Sequence, residues 1–441
     1  MKFALLFALM LCSTALAGTG IPWREQPSKA FEEAKQQKKP LLVAFHTRWC
    51  PPCNYLNEFV YPHPMVVAAA AVYIPLKLDA DAQDSFALKD RYTIGGYPTI
   101  LFLAPDGTEL GRLVGTEAPE QFAATLDRHT TLGSSVDQVL TRLGADQKLG
   151  LDLLRLARFY AETDRAEQAL GFYTVAAELA KLPTEENLNY HKVAADWYEG
   201  LSAKQRCLQH AEMWLAAVEK TRALPAALAR RLSCLDRNAD PQVYRKEVGA
   251  ALQQLLDALS LWRDDPVELA EVYVQLADFA ELMGENDKRR LYLTLACESL
   301  EGALAKTRVP AKSLGLTLLA YYRMLADIEG QQRILEALLK AYPDEFTIHY
   351  HQAKFLNAQG RYAEGLEAIA KAKRYAYGDN ALFVVKVETD LRENLARYQV
   401  AASLKKELER QQVQPSLKVR SHRYVEKLEK RIKDLEKPLT E

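Results

Sequence analysis

The sequence predicts two folded domains of different class, an α/β domain followed by an all-α domain. Helix and strand patterns alternate from residue 27 to residue 130, whereas only helical patterns follow from about residue 144. Between them, residues 131–143 contain Gly133 within a run of small and polar residues, which is typical of a linker. A chain of 441 residues is long enough for two or three independently packed domains.

The α/β segment begins with a predicted helix and a predicted strand. Residues 28–37 place alanine and phenylalanine on one face and Lys and Glu on the other, as an amphipathic helix does. The continuous apolar run 41–45 predicts a strand that is covered on both faces of its sheet.

The rest of this domain continues the alternation of helices and strands. Asp106-Gly107 predicts a hairpin turn between its last two strands. In chain order, the further predicted elements are helix 54–60, strand 72–78, helix 84–92, strand 99–104, strand 109–114 and helix 119–129.

The all-α part, over residues 144–441, contains a weak repeat of helix pairs. Its small residues would let two helices approach closely, and its aromatic residues would fill the space between neighbouring pairs. The residues of the repeat are Leu153, Leu156, Ala157, Tyr160, Ala169, Tyr173 and Ala176 in one unit, Ala353, Leu356, Gly360, Tyr362, Leu366, Ile369 and Ala372 in a second, and Tyr273, Leu276, Ala277, Gly284 and Ala296 in a poorer third. This spacing resembles tetratricopeptide repeats, and an irregular helical bundle is the alternative.

The N-terminus is predicted to direct the chain out of the cytoplasm. Residues 1–17 read as a signal peptide, because Lys2 precedes an apolar stretch and a small-x-small motif ends at Ala17. We therefore expect cleavage after Ala17, a periplasmic mature protein and a first domain over residues 18–130. A lipoprotein anchored through Cys12 is the alternative. No later segment is a long uncharged apolar run, so no transmembrane helix is expected.

The charge of the chain excludes some partners. Its formal net charge is −1, and no basic stripe is concentrated in one segment. Nucleic acid and anionic membrane surfaces are therefore not expected as the main partners.

The chemistry is predicted to reside in Cys50 and Cys53, which lie between the apolar strand and a predicted helix. Two intervening residues allow the sulfurs to bond within one helical turn, and a thiolate at a helix N-terminus is stabilised by unpaired N–H groups. Cys50 is then the nucleophile and Cys53 the resolving thiol. An inert structural disulfide and half of a zinc site are the alternatives, but zinc fits poorly without a second ligand pair. No cofactor is predicted.

Motifs around the cysteines carry a family resemblance. Over residues 21–126 these motifs are Trp23, Lys39-Pro40 after the first helix, Trp49-Cys50-Pro51-Pro52-Cys53, and Gly96-Tyr97-Pro98-Thr99 before a strand. The stretch resembles the thioredoxin superfamily, and within it the C-terminal domain of the thiol-disulfide interchange proteins called DsbD. The resemblance implies that Pro98 is cis and lies against the redox pair. It also implies that the backbone of Tyr97 and Thr99 is available to a substrate strand, and Trp49 is expected as an exposed shield beside the sulfurs.

The chain departs from this family at two positions. Ala44 stands where typical thioredoxins have a buried acid, so the group that deprotonates Cys53 is open between water, Glu58 and Lys77. Pro52 has no N–H to offer the Cys50 thiolate, which favours a reductant over a strong oxidant.

Other reactive residue types have ordinary interpretations. Cys207, Cys234 and Cys297 lie in apolar helical surroundings and are expected to be buried small hydrophobes, with a Cys207–Cys234 bond as the alternative. His46 and His63 are expected to be ordinary polar residues at a strand end and in a loop.

Two functions follow from these observations. The leading hypothesis is an exported oxidoreductase that exchanges disulfides with protein substrates and is supplied by an upstream thiol donor. Its helical repeats would bind a peptide or protein partner or serve dimerisation. The rival is a helical-repeat scaffold with a vestigial thioredoxin module. Intact Cys50, Cys53 and Pro98 disfavour the rival.

Overall fold

The computed structural model describes residues 20–131, 149–163, 165–179, 184–236, 240–413 and 421–437. The predicted signal peptide and nearly all of the predicted linker lie outside the described residues, so the cleavage site and the domain boundaries stay predictions.

The N-terminal domain is built on a four-stranded mixed sheet. Strands β1 to β4 span Leu41–His46, Ile74–Asp79, Thr99–Leu103 and Glu109–Val114. Their order in the sheet is β2-β1-β3-β4, with β1 and β2 parallel and the other two pairings antiparallel. The helices are α1 (Pro27–Gln37), α2 (Pro51–Tyr55) with a π-helical extension (Leu56–Val60), α3 (Pro64–Ala70), α4 (Phe86–Arg91) after a 3-10 turn (Gln83–Ser85), and α5 (Pro119–Thr131).

Strand β1 is covered on both faces, as its apolar run predicts. Leu42 and Ala44 belong to the core on one side of the sheet. Leu41, Val43 and Phe45 belong to the core on the other side. Because the side chains of a strand alternate, this burial on both faces requires an unbroken apolar run.

Three local elements differ from the sequence prediction. Helix α3, which begins at Pro64, was not predicted, because the run after Pro64 is apolar throughout and shows no helical period. The predicted strand 72–78 accordingly starts later, at Ile74. Helix α2 begins directly after Cys50 and not at Asn54, since proline fits the first turn of a helix.

The remainder of the described chain is helical. In chain order, its helices are α6 (Leu149–Glu162), α7 (Ala166–Leu179), α8 (Thr184–Gly200), α9 (Lys204–Val218), α10 (Leu224–Cys234), α11 (Pro241–Asp257), α12 (Pro266–Met283), α13 (Asn286–Leu304), α14 (Lys312–Met324), α15 (Ile328–Ala341), α16 (Phe346–Ala358), α17 (Tyr362–Tyr375), α18 (Asn380–Val413) and α19 (Ser421–Glu436). A 3-10 turn, Leu259–Trp262, precedes α12.

The three predicted repeat units coincide with helical hairpins. They are the pairs α6 with α7, α12 with α13, and α16 with α17, and each pair packs closely. Gly284 and Gly360 end the first helix of two pairs with φ of 75° and 71°, a left-handed conformation that glycine adopts without strain. The domain therefore has the helix-pair architecture of tetratricopeptide-repeat proteins.

In the helical domain a disulfide bond joins Cys207 in α9 to Cys234 at the end of α10. The expectation of buried free thiols is therefore wrong for these two residues. Packing of α9 against α10 brings the two Cα atoms to 5.5 Å, which is within disulfide range. Cys297 is free and buried, as expected.

The two domains share a packed boundary. Trp49 and Phe59 of the N-terminal domain contact the apolar core of helices α12 to α18. Within the residues that the structure describes, no helix has the length and apolar character needed to cross a bilayer.

Candidate redox site

The two cysteines are placed by the turn from β1 into α2. Cys50 is the N-cap of α2, and Cys53 lies in its first turn. The side chain of Asn54 fixes this turn, because its Nδ2 donates to the carbonyl oxygens of Arg48 at 3.1 Å and Cys50 at 3.0 Å. Both thiols are free and buried. The strand–turn–helix context predicted for a redox pair is therefore present.

The Cys50 sulfur has two close polar neighbours. Its Sγ accepts a hydrogen bond from the Cys53 N–H at 3.4 Å and lies 3.5 Å from the Tyr97 carbonyl oxygen, to which a Cys50 thiol can donate. Pro51 and Pro52 contribute no N–H, so among the described residues Cys53 supplies the one amide bonded to this sulfur.

The surroundings of the two thiols separate their acidities. The Cys53 thiol donates to the Cys50 sulfur, and this contact, with help from the Cys53 amide, lowers the pKa of Cys50 against the opposing effect of burial. The same thiol contact, then burial and the charge of Cys50, raises the pKa of Cys53. The pair therefore loses its first proton from Cys50.

The residues before β3 form the other side of the site. The Tyr97–Pro98 peptide bond is cis, Pro98 is buried, and the Pro98 carbonyl accepts the N–H of Gly115 at 2.9 Å. Thr99 is buried and paired in register with both β1 and β4, so Tyr97 is the residue of this segment whose main chain faces Cys50.

Trp49 is not the exposed shield that the sequence predicts. Its ring is half-buried, packs edge-on against Tyr97 and against Phe383 of α18, and its Nε1 donates to Asp81 Oδ2 at 3.0 Å. The difference arises because the helical domain covers this side of the redox turn.

Polar contacts at the carboxyl end of β2 hold the helical domain against the redox turn. Asn380 donates to Asp81 at 3.3 Å, and Tyr377 donates to Asp79. Gly378 packs so closely that a Cβ there would lie 1.6 Å from the Asp81 carbonyl oxygen. Sequence reasoning missed these aspartates, although β2 runs parallel to β1 and both strands therefore end at the same edge as the redox turn.

The two side chains considered for deprotonating Cys53 have other partners. Glu58 accepts the N–H groups of Lys312 at 2.9 Å and Ser313 at 3.1 Å, and also the Ser313 hydroxyl, at the start of α14. Lys77 donates to Asn57 at 3.3 Å, and burial lowers its pKa. Glu58 therefore caps a helix of the other domain.

The two histidines near the cysteines lie apart from the thiol chemistry. His46 ends β1 beside Asp79, and burial, followed by the charge of Lys77, lowers its pKa to about 4. His63 precedes α3. In the described part of the chain, neither ring hydrogen-bonds to Cys50 or Cys53.

Comparisons with known proteins agree with the fold of the N-terminal domain. Residues 27–130 match the family model described as a thioredoxin-like domain. The chain is 34% identical over 110 residues to thiol:disulfide interchange protein DsbD 1 of Pseudomonas aeruginosa, covering 24% of this chain and 19% of that protein. It is 29% identical over 171 residues to protein disulfide-isomerase tigA of Aspergillus niger, covering 35% of this chain and 44% of that protein. The match thus spans less than half of either relative.

Solved structures similar to the chain fall into two groups. A thioredoxin from Thermus thermophilus is 28% identical, covers 26% of this chain and 91% of its own, and has a TM-score of 0.25. A tetratricopeptide repeat protein from Parabacteroides merdae is 13% identical, covers 61% of this chain and 94% of its own, and has a TM-score of 0.36.

Proposed function

We propose that this chain, whose first domain is thioredoxin-like, is an exported thiol-disulfide oxidoreductase that reduces disulfide bonds in protein substrates. The observation that carries the proposal is the free Cys50–Cys53 pair at the N-terminus of α2, beside the cis Tyr97–Pro98 bond. The disulfide-exchange names of the relatives support the same reaction class.

In the proposed reaction Cys50 acts first. Its thiolate attacks one sulfur of the substrate disulfide, a mixed disulfide forms, and the other substrate sulfur leaves as a thiolate that takes up a proton. Cys53 then loses its proton and attacks the Cys50 sulfur, which releases the second substrate thiol. The substrate gains two electrons and two protons, the protein retains a Cys50–Cys53 disulfide, and an upstream dithiol donor reduces it again.

The proposed substrate-binding residue is Tyr97, with Trp49, Pro98 and Thr99 as the residues that position it. Tyr97 presents its carbonyl toward Cys50, and Pro98 and Thr99 hold that carbonyl in place from the start of β3. Trp49 adds an apolar edge beside the sulfurs. A substrate strand beside Cys50 would pair with main-chain groups at this position.

Two features favour the reducing direction and the exported location. A thiolate held by one amide is less stabilised than one held by several, which makes the dithiol a better electron donor. The signal-peptide pattern at residues 1–17 supports export, and the interchange proteins among the relatives support a role in disulfide exchange.

Insulin reduction tests the proposal. The full-length mature chain, supplied with dithiothreitol, is expected to reduce insulin and to lose this activity in Cys50→Ala. Cys53→Ala should instead accumulate a mixed disulfide through Cys50, because the resolving thiol is absent. Cys297→Ala is the matched control and should retain activity. Undiminished turnover in Cys50→Ala would overturn the assignment of Cys50 as nucleophile, whereas no turnover in the parent chain would favour the rival scaffold function.

A further inference from the structure

A cavity of about 580 Å³ lies between the redox helix and the helical domain. Pro51, Pro52 and Tyr55 of α2 line one wall, with Glu117 from the loop before α5. Residues of α12 line the opposite wall, including Glu268 and Glu271. This volume is within the range of binding sites for ligands and side chains.

The cavity is lined by residues that are next to Cys50 in the sequence. Pro51 and Pro52 are the two residues between Cys50 and Cys53. On the far side, the loop that carries Glu117 follows Gly115, whose N–H bonds to the Pro98 carbonyl. The cavity therefore lies beside the two residues that follow Cys50, the position at which a substrate disulfide would react.

The charged lining of the cavity is predominantly acidic. Its charged side chains are Glu117, Glu268, Glu271 and Arg222. Arg222 is already paired, at 2.8 Å from Glu268 and 3.5 Å from Asp265. For Glu271, the described residues provide no hydrogen-bond or ion-pair partner.

Burial, and next the neighbouring carboxylates, raise the pKa of two groups that line the cavity. Partial burial, followed by the charges of Glu268 and Asp265, raises the pKa of Glu271. Burial and then Asp265, Glu268 and Glu271 raise the pKa of Tyr55, in the redox helix, to about 12. A cation placed between these groups would relieve a repulsion already present in the fold.

We propose that this cavity binds a lysine or arginine side chain next to the substrate disulfide, so that the helical domain selects cationic protein substrates. This inference rests on the proposed oxidoreductase function. The occupant is a side chain with an apolar stem, because Pro51, Pro52 and Val267 line the cavity together with the carboxylates. The carboxylates of α12 belong to the helical domain, so the selectivity does not come from the thioredoxin-like fold alone.

Matched peptides test the selectivity. Two peptides with the same intramolecular disulfide, differing only by Lys or Gln beside the first cysteine, are reduced by the full-length chain with dithiothreitol as donor. We expect kcat/KM to be about tenfold higher for the lysine peptide, as for one added charge pair in a partly buried site. Glu271→Gln should remove most of this preference and leave the rate with the glutamine peptide within about twofold.

A control on the same helix separates local from general charge effects. Glu281 lies outside the cavity and pairs with Arg289 at 3.2 Å, so Glu281→Gln removes the same charge and should keep the preference. Equal loss in both variants, or a lysine preference that Glu271→Gln leaves intact, would overturn the proposal.

A binding measurement distinguishes this inference from the reaction itself. In the Cys50→Ala/Cys53→Ala chain, the reduced lysine peptide should bind about tenfold more tightly than the glutamine peptide, and Glu271→Gln should equalise them. Tighter binding without turnover in the active chain would retain the cavity assignment and remove the oxidoreductase function. Turnover of both peptides with equal rates and equal affinities would retain the function and remove the cavity assignment.

Discussion

Two pairs of cysteines lie close together in space among the described residues, and the structure places them in opposite situations. Cys50 and Cys53 lie at a turn between strand and helix, with both thiols free. Cys207 and Cys234 are 27 residues apart and join two packed helices through a bond. Only the first pair has a sulfur at a helix N-terminus facing an amide and a carbonyl. Proximity therefore does not make a cysteine pair reactive, because reactivity depends on what stabilises the first thiolate.

The largest effect expected from this comparison is on catalysis. Cys50→Ala should lower insulin reduction by more than about a thousandfold, since the nucleophile of the first step is lost. The double variant Cys207→Ala/Cys234→Ala should keep at least half of the activity, as measured by the same turbidity assay. If the second pair proved essential for turnover, the distinction between a reactive and a structural pair would be wrong.

For stability we expect the reverse, with the Cys207–Cys234 pair contributing more than Cys50 and Cys53. Removing the Cys207–Cys234 bond frees a long loop in the unfolded chain, which should lower the free energy of unfolding by about 3 kcal/mol. Urea denaturation of the double alanine variant under non-reducing conditions measures this loss. Cys50→Ala serves as the control and should stay within about 1 kcal/mol of the parent, because a Cys50–Cys53 bond would close only a very short loop.

Alkylation sharpens the comparison at the level of single thiols. Cys50 and Cys297 are similarly buried, at 4% and 3% exposure, but burial raises the pKa of Cys297 to about 12 whereas that of Cys50 is lowered. Because the thiolate reacts, Cys50 should be modified by iodoacetamide at least about tenfold faster than Cys297 at pH 7.5.

The pH dependence of alkylation tests the direction in which the pKa of Cys50 is shifted. A lowered pKa means that the thiolate persists to lower pH, so the alkylation midpoint of Cys50 should lie below the 9.0 of an ordinary cysteine. Peptide mapping by mass spectrometry measures the extent of alkylation at Cys50 and Cys297 separately. A midpoint for Cys50 at or above that of Cys297 would contradict the assignment of Cys50 as nucleophile.

The smallest expected effect concerns the contact between Glu58 of the first domain and helix α14 of the second. Helix α14 has Ala311 at its N-cap, which provides no side-chain bond, and Glu58 of the other domain takes that role. Glu58→Ala should therefore cost about 1 kcal/mol in a urea melt, the usual value of a lost cap. Glu281→Ala on the surface is the control, and an equal loss there would remove the special role of Glu58.

Much of the first domain was predictable because its signals are local. The run 41–45 is apolar since β1 is buried on both faces, and the two prolines after Cys50 fit the first turn of α2. Helix α3 was missed because an apolar run without polar residues has no readable period. The pairing of Cys207 with Cys234 was not the favoured interpretation, since spacing does not determine which helices pack together.

The sequence by itself determined the local setting of the thiol pair, after a buried strand and before a helix, and the helical character of the domain that follows. Those features depend on residues that are neighbours along the chain. Only the tertiary structure decided what surrounds the pair, with Trp49 covered by Phe383, Glu58 bound to α14, and Glu271 placed across the cavity. Such contacts join residues hundreds of positions apart, and a single sequence carries no periodicity or spacing that records them.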